Sequence, residues 1–140
     1  LALWRWQAAR GKEPKELGKI GIGMALMGSA FVWLAAGSGA EKTPILWVVA
    51  FHLVLNVGWL YLVPTVNALF SRAAPMALTG VMLGAVQFAV FLGSTISGWL
   101  GRFYETMDIS AFWLLHAAFP LTGAAIMWAV RGRLGRVLKL

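Results

Sequence analysis

The sequence predicts an all-α transmembrane fold of four antiparallel membrane-spanning helices, and three observations carry that expectation. Hydrophobic residues make up 60% and charged residues 12% of the chain, where a soluble domain averages about 45–50% apolar and about 25% charged. Mean hydropathy is +0.76. Four apolar runs are each long enough to cross a hydrocarbon core of about 30 Å, which takes roughly 20 residues. Four such spans with short connectors use nearly all of the 140 residues. Intrinsic disorder, a collagen-like repeat and a disulfide scaffold are excluded. With no cysteine, neither a disulfide framework nor a thiolate site is available.

The chain opens with a basic approach, residues 1–19, carrying Arg5, Arg10, Lys12, Lys15 and Lys19. It begins Leu-Ala-Leu-Trp, with no charged segment leading to a cleavage site, so we expect no secretory signal and a fragment of something longer. The first span, about 20–37, holds no ionisable residue, and its Gly21, Ala25, Gly28 stripe reads as helix packing. The second, about 45–70, contains Pro64; the third covers about 78–100; the fourth, about 109–130, contains Pro120. Residues 131–140 form a basic tail. The connectors are short, so consecutive spans are expected to be antiparallel neighbours.

Lysine and arginine placement sets the expected orientation. The opening segment, the second connector with Arg72, and the tail with Arg131, Arg133, Arg136 and Lys139 put ten of these residues on one side, and Lys42 and Arg102 put two on the other. Both termini and the middle connector should face the cytoplasm, with Glu41, Glu105 and Asp108 outside, most simply in a bacterial inner membrane. The net charge of +7 is then mostly topology. Nucleic-acid binding would need a basic face on a soluble domain, which these runs exclude. Trp4, Trp6, Trp47, Trp99, Trp113 and Trp128 fall near span ends, where indole favours the headgroup zone. Trp33 and Trp59 lie deeper.

Polar residues inside spans point to function, because each is costly in hydrocarbon unless paired or facing water. In the second span His52, Asn56, Trp59, Val63 and Asn67 are spaced 4, 3, 4 and 4 apart. At about 100° per residue they share an arc of roughly 80°. Such a face should line a water-filled cavity or another helix, and Pro64 sits inside the same helix. In the third span Gly80, Gly84, Gln87, Phe91, Ser94 and Gly98 share a face, the glycines reading as close packing and Gln87 as looking into a cavity.

His52 and His116 have no nearby histidine or carboxylate in sequence. A metal needs three or four converging ligands, so structural hydrogen bonding is the preferred reading, with proton coupling the sharper alternative. No cofactor is expected. The sequence holds no G-x-x-x-x-G-K-[ST], H-E-x-x-H or nucleophile elbow, so nothing supports an enzyme.

One stretch carries a likeness. Gly58-Trp-Leu-Tyr-Leu-Val-Pro64, Phe70-Ser-Arg-Ala-Ala-Pro75, Gly80-Val-Met-Leu-Gly84, then Gly93 and Gly98, together with the upstream Gly11-Lys-Glu-Pro14, resemble helices 9 to 11 of the proton-dependent oligopeptide transporters of the major facilitator superfamily. The resemblance covers most of the chain. It implies that the four spans are helices 9 to 12 of that superfamily's C-terminal six-helix bundle, with helices 10 and 11 at the central cavity and helices 9 and 12 outside. The family's helix 10 glutamate, associated with the peptide amino terminus, falls at Trp59, and its helix 11 pocket tryptophan at Val86, with Gln87 beside it and Val90 one turn on. An ammonium would meet indole rather than carboxylate, a cation–π contact of about 0.5–2 kcal/mol.

The resulting expectation is the last part of a proton-coupled secondary transporter for peptides or related small solutes. Its site would be lined by Asn56, Trp59, Val63, Asn67, Val86, Gln87 and Val90, and its partners would be that substrate, upstream helices of the same chain and the lipid bilayer. The alternative is a self-contained four-span assembly or interaction protein. A four-helix multidrug exporter is disfavoured, since such a protein usually relies on a glutamate in its first helix and residues 20–37 contain none.

Overall fold

The computed structural model describes residues 13–39 and 43–138, together with Arg5 and residues 9–11. Trp4, Trp6, Lys12, Glu41, Lys42 and Lys139, which enter the anchor and charge arguments above, lie outside the described residues. Among the described residues four long helices form: α1 (Glu16–Gly37), α2 (Ile45–Ala73), α3 (Thr79–Leu100) and α4 (Ile109–Val137), with 3-10 turns at Met76–Leu78 and Gly101–Phe103. All four are long and apolar enough to cross a membrane. The chain is an all-helical, multi-pass membrane protein.

The helix ends follow from local chemistry. Pro14 precedes the start of α1, and Glu16 in its first turn suits the positive end of the helix dipole. α2 stops because Ala74, extended at φ −82° and ψ 140°, precedes Pro75 and is held out of the α region. Asp108 caps α4 by accepting a 2.9 Å hydrogen bond from the Ala111 amide. Pro64 and Pro120 remove one backbone donor each, yet both helices run through them. Three bounds differ from expectation: α2 runs on to Ala73, taking in Arg72 from the second connector. α1 begins before the apolar run, taking in Glu16 and Lys19, and α4 continues to Val137, so that Arg131, Arg133 and Arg136 sit on helix rather than on an irregular tail. Hydropathy drops at those positions, but arginine and leucine remain good helix formers.

α1 is the centre of the packing, lying against α4 and α2. Both contacts are antiparallel. Trp128 and Leu121 of α4 cover Gly21 and Gly28, while Ser110 at its start donates to the Ala35 carbonyl at 3.2 Å. Toward α2, the Arg72 guanidinium pairs with the Glu16 carboxylate at one end. At the other, the Trp33 and Trp47 indoles stack at 3.8 Å, and each ring N–H donates to the other residue's carbonyl at 3.1 Å. Between these ties the helices cross tightly. A Cβ on Gly23 would lie 2.8 Å from the Gly58 carbonyl oxygen, and a Cβ on Gly58 would lie 2.8 Å from that of Gly23. Small residues permit this approach, which in lipid is rewarded by packing rather than by the hydrophobic effect. The core gathers Leu17, Ile20 and Leu69, flanked by Met24, Leu62, Val66, Met127 and Leu134.

The expectation that all consecutive spans are neighbours needs correction. α4 packs chiefly on α1 rather than on α3. α3 stands at the edge, its half-buried residues Thr79, Met82, Leu83 and Val86 all in its first half, and α2 is the helix it leans on. The connector before α4 is closed locally instead, with Tyr104 edge-on to Phe112 at 5.2 Å. Short connectors limit how far a helix can stray, but they do not choose its packing partner.

Candidate functional site

α2 carries two opposed stripes. Phe51, Gly58, Tyr61, Thr65 and Leu69 are buried, and the Gly58 crossing places this stripe toward α1. His52, Asn56 and Trp59 are exposed, and Val63 and Asn67 are half-buried. At about 100° per residue the two stripes are centred roughly 140° apart. The polar face expected from the sequence is therefore one continuous stripe, directed away from α1. The Asn56 amide nitrogen donates to the His52 carbonyl at 2.7 Å. Its amide oxygen stays open among the described residues, and Trp59 keeps 45% of its surface exposed.

On α3, Gln87 and Val90 are exposed and Val86 is half-buried. Phe88 and Phe91 stack outward with centroids 6.1 Å apart. Glycines here differ from those of α1. A Cβ added at Gly80, Gly84, Gly93 or Gly98 would meet nothing within 4 Å, so the packing expected at Gly80, Gly84 and Gly98 is not made among the described residues. Gly21 and Gly28 of α1 are packed, as expected. No hydrogen bond or ring contact joins Asn56, Trp59, Val63 or Asn67 to Val86, Gln87 or Val90 among the described residues. The seven residues form two open faces on neighbouring helices rather than an enclosed pocket.

His116 belongs to a different environment. Its Nδ1 lies 3.0 Å from the Phe112 carbonyl oxygen, which can only accept, so that nitrogen carries the proton. Around it stand Phe112 at 4.4 Å, Phe31 at 5.9 Å and Trp113 at 6.0 Å between centroids. Phe31 also meets Phe51 at 5.6 Å, so this aromatic cluster joins α1, α2 and α4. His52 packs edge-on against Phe51 at 4.9 Å on the outer side of the cluster. Among the described residues no three His, Cys, Asp or Glu side chains converge.

Two features escaped the sequence reading. The Trp33–Trp47 pair was readable only as two separate indoles, although both flank the first connector. A groove of about 790 Å³ opens between the start of α1 and the end of α4. Its one sequence signal was the basic run Arg131-Gly-Arg-Leu-Gly-Arg136, which becomes groove-forming only when helical.

Compared with known proteins, the chain matches no family model, no curated sequence and no solved structure.

Proposed function

We propose that the chain is part of a secondary transporter that moves peptides or related small solutes across the membrane by alternating access, with proton coupling. One observation carries the reading beyond the sequence resemblance. The stripe of His52, Asn56, Trp59, Val63 and Asn67 stays out of the α1 interface and remains open. Two amides and an imidazole turned to hydrocarbon would be costly, so a water-filled cavity or further helices should cover this face. Asn56, Trp59 and Gln87 are the proposed substrate contacts, with Val63, Asn67, Val86 and Val90 as walls. Further helices of the same chain would complete the C-terminal six-helix bundle of the major facilitator superfamily. Both ends of this segment would then face the cytoplasm.

The test is uptake of labelled peptides by the full-length protein carrying Trp59→Ala or Trp59→Glu. We expect Trp59→Ala to raise KM, and Trp59→Glu to shift preference toward substrates with a free amino terminus. Unchanged kinetics and specificity in both variants would overturn the site.

A second reading, a four-span assembly subunit, is favoured by the open glycines of α3, a face ready for another protein's helix. The coding sequence ahead of Leu1 separates the two. Roughly eight further spans, as in a transporter built of two six-helix halves, support the first reading, and an immediate start codon supports the second.

A further inference from the structure

The groove between α1 and α4 combines two chemistries in a definite order. Ile22 and Trp128 form its deeper wall, Leu17 lies nearer the helix ends, and Arg131, Arg136 and Lys15 form its outer wall. Among the described residues no carboxylate lines it. The acidic residues nearby on this side are engaged elsewhere, Glu13 with Lys19 and Glu16 with Arg72. On α4, Arg131 and Arg136 flank an arc of roughly 140°, about 7.5 Å apart along the axis. Gly132 and Gly135 lie between them, and a Cβ at Gly132 would meet nothing within 4 Å. The floor is therefore bare helix.

From the membrane side outward the groove runs from Ile22 and the Trp128 indole to the guanidinium groups, the order of acyl chain and phosphate in a lipid. We propose that the groove binds one anionic phospholipid, its phosphate held between Arg131 and Arg136 and its upper acyl chain laid on Ile22 and Trp128. The guanidinium fork suits phosphate oxygens. Basic pockets between membrane helices are suited to anionic headgroups, and an indole at this depth matches the interface. The assignment does not depend on the transport reading.

Native mass spectrometry of the full chain, released from equal amounts of phosphatidylglycerol and phosphatidylcholine, tests it. The unaltered chain should retain one phosphatidylglycerol in preference to phosphatidylcholine. R131Q/R136Q should lose that preference by about tenfold or more, the scale of one charge-assisted hydrogen bond. G132L should lose it with every charge intact and helicity unchanged by circular dichroism. R133Q, exposed and outside the groove, should retain it. Equal retention of the two lipids, an equal fall in R133Q, or undiminished preference in R131Q/R136Q would overturn the proposal. Displacement of the lipid by inorganic phosphate would overturn it in favour of a free anion.

Discussion

Gly58 and Trp59 are adjacent, one buried in the α1 crossing and the other exposed about 100° round the helix, and that contrast underlies both the packing and the proposed site. Gly58 has no room for a methyl group beside the Gly23 carbonyl oxygen and Met27, and this close crossing leaves Trp59 on the outer surface of α2. Gly58→Ala should therefore push the helices apart at their tightest point. We expect a loss of about 1–3 kcal/mol, the range for overpacking a filled interface, measured by denaturant titration of the purified chain in micelles with circular dichroism. Gly84→Ala on α3, where a Cβ meets only open space, is the matched control and should cost nothing measurable. The spacing of His52, Asn56, Trp59, Val63 and Asn67 made their common face legible from the chain alone, because a period near 3.6 needs no tertiary information. That Gly58 is irreplaceable while Gly84 is not was illegible, because the difference lies in which backbone sits opposite.

Among the elements, α1 and α2 are held at both ends by side chains and at the middle by glycines. The Trp33–Trp47 pair is reciprocal, each indole N–H reaching the partner's carbonyl across a connector that joins the same two helices. Trp47→Phe keeps a ring for stacking but removes one donor, so we expect a loss of about 0.5–1.5 kcal/mol in the same unfolding assay. Trp33→Phe should behave alike, and the double variant should lose less than the sum of the two, because the two reciprocal hydrogen bonds hold one shared geometry. An additive double variant would show the rings to be independent anchors. Helix existence was readable from apolar runs, and even Pro64 and Pro120 misled nothing, since a lipid-embedded helix tolerates a lost donor. Packing partners were not readable. Whether α4 lies on α3 or α1 is decided by Trp128 over Gly21 and Leu121 over Gly28, a match in depth between residues about a hundred positions apart.

For the whole molecule, the helices bring their charges to two unequal ends. Lys15, Lys19, Arg72, Arg131, Arg133 and Arg136 gather at one, with Glu13 and Glu16 paired among them. At the other, Arg102 lies 4.6 Å over the Trp99 ring and 4.9 Å from that of Phe103, beside Glu105 and Asp108. Orientation depends on the count of lysine and arginine rather than on net charge, so the two ion pairs do not weaken the bias. The basic end should face the cytoplasm, where the anionic leaflet also supplies the lipid proposed for the groove. Because these 140 residues hold no cysteine, single thiols introduced here report topology once any cysteine elsewhere in the protein has been replaced. Glu105→Cys should react in intact cells with a membrane-impermeant maleimide, and Arg133→Cys only after permeabilisation. The reverse pattern would invert the orientation and place the groove on the outer surface. Labelling of both sites in intact cells would mean that the chain inserts in two orientations, which an asymmetry this large should prevent.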